Sequence, residues 1–204
     1  MLDSSFSFTL YTTMDFLSKK MLDAVQYTAR MHDGQYRRGP SRIPFISHPF
    51  AVGMALVQAG FEEDVIIAGI LHDVVEDTTA TLEDVRREFG ERVAHIVDFV
   101  TEDPNLQTVA EKKAAYRERL KVGSVESLAV SCADLLANRT SLYIELLAGI
   151  NWDADRPRRL EMMLGDDHKR LSIIKERLTS DLVSNLDQRL EEISNFLKNY
   201  NGKE

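Results

Sequence analysis

The chain has 204 residues, a formal net charge of −8, a pI near 5.2 and one cysteine, Cys132. That length suits one domain with a sizeable core, while the acidity excludes a broad phosphate-backbone-binding surface, which needs clustered Lys and Arg. A lone cysteine excludes an intrachain disulfide and fits a reducing compartment.

Taken from the start, MLDSSFSFTLYTTMDF holds no Lys or Arg before Lys19 and does not read as a secretory signal. No apolar run approaches the roughly 20 residues of a membrane span. The expected setting is cytoplasmic, with neither nucleic acid nor membrane as partner; the sequence assigns no oligomeric state. Helical periodicity dominates and strand alternation is nearly absent, which predicts an all-α fold. The spacing predicts helices over 15–32, 49–59, 62–76, 81–89, 91–100, 109–121, 125–148, 156–178 and 181–199. Between the first two lies GQYRRGPSRIPFIS, whose two Gly and two Pro mark a loop. Pro49 then falls where a first helical turn tolerates proline. Thr81-Leu-Glu-Asp84 resembles a capping box, and Gly90 follows Phe89 as a glycine just past a helix end does. The last two helices, with LSIIKERL and LEEISNFL, read as packing elements with solvated outer faces. Without an internal repeat or a low-complexity tract, residues 1–204 read as a single domain.

Chemistry concentrates in LHDVVEDT, residues 71–78. The helix that carries it is apolar on most of its circumference, so it belongs in a core. Residues four apart on a helix are neighbours, which sets His72 beside Glu76 and Asp73 beside Asp77. Carboxylates packed so closely repel unless a cation compensates them, and a divalent metal is the natural candidate. Taken alone, the same residues serve equally well as a solvated last turn. Further donors would have to come from elsewhere, and two positions stand out. His48 precedes Pro49 at a helix start, at a rigid corner, although a lone histidine is more often a hydrogen-bonded structural residue. Asp134 lies in the apolar run SLAVSCADLLANRTSL, where an unpaired charge is strongly unfavourable. A salt bridge would satisfy it, yet no Lys or Arg lies three or four residues before it. Asn138, one turn on, shares its face.

In this order His48-Pro49, His72-Asp73, Glu76-Asp77, Asp134 and Asn138 resemble the HD-domain alarmone hydrolases of the RelA/SpoT type, in their short, hydrolase-only form. The flanks agree: ARMHDGQYRRG, PFISHP, LHDVVEDT and TLEDVRREFGERVAHIVDFVTED are each similar to a motif of that family. The resemblance covers roughly residues 20–150, with helices 156–199 beyond it.

It implies a compact all-α HD-domain bundle with one metal, usually manganese (Mn2+), held between core helices by the residues matching here as His48, His72, Asp73 and Asp134. It further implies that Glu76 and Asp77 assist the hydrolytic water, and that the reaction removes the 3′-pyrophosphate from guanosine tetra- or pentaphosphate. Two His and two Asp carry a formal charge of −2, which suits a hard divalent ion. Such an ion lowers the pKa of bound water and polarises a phosphoryl oxygen. Glu76 can take or orient the water's proton, and Asp77 can steady a ligand instead. Arg37, Arg38 and Arg42, within eleven residues of His48, can bring guanidinium groups to polyphosphate or over a purine. Asn138 can bond ribose or phosphate, or simply Asp134. The chain departs from the family pattern where a lysine is Ser131 and a basic residue is Leu135, and Ala137-Asn138-Arg139 brings the arginine one position early. Substrate identity is therefore open to another nucleotide with a terminal phosphate or pyrophosphate, handled by an HD-superfamily phosphatase or pyrophosphohydrolase. A nucleotide-binding regulator without turnover is the third reading, and the Glu-Asp pair argues against it.

Overall fold

Ser18 starts the first helix by accepting a hydrogen bond from Met21 N at 3.1 Å, covering one of the donors a helix start leaves free. The computed structural model describes residues 17–38, 42–149 and 155–201. Among them the chain forms α1 (Lys19–Met31), α2 (Ser47–Gln58), α3 (Glu63–Leu71), α4 (Val74–Asp77), α5 (Leu82–Phe89), α6 (Glu91–Val100), α7 (Val109–Val122), α8 (Val125–Leu147), α9 (Arg156–Lys175) and α10 (Asp181–Asn201). No strand occurs among the described residues, as the all-α reading requires. The loop after α1 is tied by one antiparallel bridge, Tyr36 to Pro44, with Arg37 N donating to Ile43 O at 2.8 Å and Phe45 N to Gln35 O at 3.0 Å. No described helix is long and apolar enough to cross a membrane.

Helix α3 is the centre of the bundle, with every residue from Val65 to Leu71 buried. It packs against α1, α2, α6 and α8, and α10 lies across α8 and α9. Two glycines let α2 and α3 approach closely. A Cβ added at Gly53 would stand 2.6 Å from Ile70 Cγ1, and one at Gly69 would strike Leu56 Cδ1. Only a missing side chain permits that spacing, and that spacing brings His48 on α2 up to His72.

The capping box is present: Thr81 Oγ1 accepts from Asp84 N at 3.2 Å, and Thr81 N donates to Asp84 Oδ2 at 3.0 Å. Thr108 and Glu111 form a second one, unread in the sequence. Gly90 takes φ 93 between α5 and α6, a value that favours glycine. Three expected helices need correction. The helix over 62–76 is interrupted at His72-Asp73, the one over 156–178 ends at Lys175, and the first begins at Lys19, with expected residues 15 and 16 outside the described ones. The interruption has a chemical correlate: Asp73 has φ −92 and ψ −8, a shallow turn that swings its carboxylate toward the His72 ring.

Candidate metal centre

Four side chains from three segments converge where α2, the α3–α4 break and α8 meet. His48 Nε2 lies 3.2 Å from His72 Nε2, 3.5 Å from Asp73 Oδ2 and 3.3 Å from Asp134 Oδ1. His72 Nε2 lies 3.0 Å from Asp73 Oδ1 and 3.7 Å from Asp134 Oδ1. Both rings are buried. His72 Nδ1 is 2.8 Å from Gly69 O, a carbonyl that can only accept, so Nδ1 carries a proton. The neutral ring then turns a bare Nε2 lone pair toward another imidazole nitrogen and two carboxylates. That arrangement is stable only with a positive charge at its centre, either a proton or a metal ion.

The protonation equilibria express the same demand. Burial disfavours a charged His72 ring, but Asp73 and Asp134 outweigh it and raise its pKa to about 9. Burial also opposes ionisation of Asp134, yet His48, His72 and Arg170 hold its pKa far below the usual carboxylate value. Asp73 is lowered against its own burial, chiefly by His72. Donor atoms 3.0–3.7 Å apart can share one ion at the roughly 2.0–2.2 Å bond lengths of imidazole and carboxylate ligands. His48, His72 and Asp134 group as candidate metal donors on this spacing, and Asp73 borders them. The residues therefore fit a single divalent cation bound by mixed N and O donors.

The cluster forms part of the wall of a cleft of about 1360 Å³, which Glu76 and Asp77 also line. Glu76 Oε2 accepts from Glu102 N at 3.0 Å, which fixes the carboxylate at the cleft. Burial in the cleft raises the pKa of Glu76, and the carboxylates of Glu102, Asp73 and Asp77 add to the effect. Asp77 is raised by burial and by Asp73, with His32, His72 and Arg38 pulling the other way. His32 is buried beneath the loop, stacked on Phe45 at 4.6 Å, with Nδ1 2.8 Å from Gln35 Oε1. Gln35 Nε2 in turn donates to Asp77 O at 2.8 Å, tying the loop to α4.

Of the loop arginines, Arg37 reaches furthest in. Its Nη2 donates to Asn138 Oδ1 at 2.8 Å, and Asn138 Nδ2 donates to Asp134 Oδ1 at 2.7 Å. Asn138 thus has the bond to Asp134 that was one of its two readings, and it extends the cluster to a guanidinium. Arg42 stacks 4.5 Å from the Tyr36 ring centroid with φ 46, and Arg38 lines the cleft beside it. Reading the last two helices as packing elements alone is incomplete, because α9 supplies one side of the cleft. Arg139 Nε donates to Asp167 Oδ2 at 2.5 Å and its Nη2 to Asp167 Oδ1 at 3.0 Å, while Arg170 Nη2 lies 3.9 Å from Asp134 Oδ2. One signal was present. Leu160, Leu164, Asp167, Leu171 and Ile174 are the buried register of α9, and an Asp in that register implies a buried cation opposite it.

The chain is similar to guanosine-3′,5′-bis(diphosphate) 3′-pyrophosphohydrolases called MESH1. It is 36% identical to that of Drosophila melanogaster over 141 residues, covering 68% of this chain and 77% of the relative. To the Homo sapiens protein it is 37% identical over 125 residues, covering 60% and 69%. Among solved structures, a metazoan orthologue of SpoT described as hydrolysing ppGpp superposes with a TM-score of 0.75 at 29% identity, over 86% of this chain and 96% of that one. A Listeria monocytogenes protein, lmo0812, gives 0.61 at 30% identity, over 74% and 95%. A model of the HD domain matches residues 24–138, a span that opens in α1 and closes on Asn138 beside Asp134. With the His-Asp pair seated at the break between two core helices inside that span, the chain belongs to the HD-domain family.

Proposed function

We propose that the protein is a metal-dependent hydrolase that removes the 3′-pyrophosphate from guanosine tetra- or pentaphosphate, releasing GDP or GTP and pyrophosphate. The observation carrying this reading is the convergence of two imidazole nitrogens and two carboxylates in the wall of a cleft that also holds a fixed Glu76 and the loop arginines. The MESH1 relatives, which bear the name of this activity, support it. His48, His72, Asp73 and Asp134 would hold one divalent ion, with Mn2+ the choice that matches their N/O donors. When bound, the ion polarises a phosphoryl oxygen and eases deprotonation of water.

The remaining work falls to this chain's own side chains. Glu76, held at Oε2 by Glu102 N, takes the proton of the attacking water. Water oxygen bonds to the 3′ phosphorus, the bond from that phosphorus to O3′ breaks, and O3′ leaves with a proton as the nucleotide's hydroxyl. Asp77 shares the acidic end of α4 and steadies the proton on Glu76 by its charge. Arg37, Arg38 and Arg42 draw the anionic substrate into the cleft of a chain whose net charge is −8. Asn138, tied to Arg37 and Asp134, orients the phosphoryl group over the cluster. We place the protein in the cytoplasm and treat residues 1–204 as one hydrolase unit.

Ser131, Leu135 and Ala137 favour a second reading, hydrolysis of a different nucleotide bearing a terminal phosphate or pyrophosphate. A panel of nucleotides incubated with manganese-loaded protein separates the two. Guanosine tetraphosphate should give the highest kcat/KM, and a larger value for any nucleotide lacking a 3′ phosphate would reject the first reading.

A further inference from the structure

Helix α9 faces the cleft with two carboxylates and one guanidinium, and the three are not equivalent. Asp166 is bonded to Arg117 and lies 3.6 Å from Lys113, and Asp167 is bound twice by Arg139. Those cations are consumed in holding α7 and α8 to α9. Arg170 is placed differently. Its guanidinium lies 4.9 Å from the Tyr116 ring centroid, which fixes its plane. Its Nη2 donates to Ser131 Oγ at 3.2 Å, and the same oxygen accepts from Tyr116 OH at 3.0 Å. Its Nε is buried without a hydrogen-bond partner. The nearest carboxylate oxygen, Asp134 Oδ2, is 3.9 Å away, on the side of Asp134 opposite the oxygen that faces the two histidines.

A desolvated guanidinium held by neutral groups is costly unless it meets an anion. Asp134 is the nearest such anion, and Asp166 and Asp167 are already paired with other cations; a metal ion held at Asp134 would share its charge. Once His48, His72, Asp73 and Asp134 hold a cation, Arg170 is left lining the cleft with a guanidinium whose terminal N–H groups can meet phosphate oxygens. We propose that Arg170 is the substrate-contacting residue that receives the departing pyrophosphate, and that it restores from α9 the cation that Ser131 does not provide on α8. The inference rests on the reading of the cleft as a phosphoryl-transfer site. It also gives Ser131 a purpose: a small hydroxyl leaves room for the guanidinium and accepts its hydrogen bond.

Calorimetric titration of manganese-loaded protein tests this without requiring turnover, using inorganic pyrophosphate and, separately, GDP. Arg170→Gln should weaken pyrophosphate binding about 10- to 100-fold, the range of a lost charge-assisted hydrogen bond. It should change GDP binding less than about 3-fold and leave the manganese content intact. Arg170→Lys, which keeps the charge without the guanidinium and covers the case in which the glutamine variant does not fold, should fall between. The double variant Ser131→Lys/Arg170→Gln should recover much of the pyrophosphate affinity. Loss of manganese in Arg170→Gln would make Arg170 a positioning residue for Asp134, and equal weakening of GDP and pyrophosphate would make it a general charge; either overturns the proposal. Wild-type protein that fails to cleave guanosine tetraphosphate yet binds pyrophosphate through Arg170 would reject the proposed substrate and leave this inference standing.

Discussion

Glu76→Gln separates chemistry from architecture at this site. The carboxylate accepts one hydrogen bond, 3.0 Å from Glu102 N, and the glutamine carbonyl can accept the same bond. Exchanging a charged for a neutral acceptor loses about 1 kcal/mol of hydrogen-bond strength. Against this, the substitution removes a carboxylate whose ionisation is opposed by burial and by Glu102, Asp73 and Asp77. The two effects oppose each other, so folding stability should move by less than about 1 kcal/mol, a small part of the roughly 5–15 kcal/mol of a typical domain. Turnover should nevertheless fall about 10²- to 10⁴-fold, the usual loss on removing a general base. That is about 3–5 kcal/mol of barrier, too large to come from the fold. Metal content by elemental analysis, thermal melting and kcat on one preparation decide the matter. Metal lost together with activity would make Glu76 a ligand or its essential support, and unchanged kcat would reduce it to a charged helix end.

Three further outcomes follow from particular contacts. His72→Ala and Asp134→Ala should each abolish manganese retention after dialysis along with turnover, because each removes a donor and leaves the remaining carboxylates uncompensated; full manganese content in either variant would remove that residue from the ligand set. Gly53→Ala should destabilise the fold by about 1–3 kcal/mol, the usual cost of overpacking, since the new Cβ would meet Ile70 Cγ1 at 2.6 Å; a melting temperature equal to wild type would contradict the close α2–α3 contact. Asp84 has its pKa lowered to about 2 from 3.8 by hydrogen bonds from Thr81 and Arg87. Its stabilising effect is therefore complete above its unfolded pKa and lost as pH falls from about 4 toward 2. The melting-temperature gap between wild type and Asp84→Asn should narrow over that window, and a gap constant with pH would refute the assignment.

The sequence made the site legible where its signal was local and chemical. A histidine and three carboxylates in LHDVVEDT, a histidine fixed ahead of Pro49 and an aspartate in an apolar helix all point to one charge-compensated centre; His48, His72, Asp73 and Asp134 meet within 3.0–3.7 Å, while Glu76 and Asp77 line the adjoining cleft. The break at His72-Asp73 was hidden because apolar periodicity runs through it: Val74 is buried on the same core as Leu71, so burial alone does not distinguish a kinked from a continuous helix. The contribution of α9 was hidden for a different reason. Arg170 stands among Asp166, Asp167, His168 and Lys169, and a run of mixed charge ordinarily marks a solvated face. Its partner Asp134 lies 36 positions earlier, beyond any helical spacing rule. The glycines at 53 and 69 carry no signal of their own until the neighbouring helix is present, since their role lies in what a side chain there would strike.

The central claim is tested most directly by identifying products across a manganese titration. Metal-free protein is loaded in steps with Mn2+, incubated with guanosine tetraphosphate, quenched with chelator and resolved by anion-exchange chromatography. Turnover should rise in proportion to bound metal and level off at about one ion per chain, the stoichiometry of a single site built from one set of donors, with GDP and pyrophosphate formed in equal amounts and chelation abolishing both. Release of orthophosphate in place of pyrophosphate, or turnover indifferent to the metal, would contradict the account.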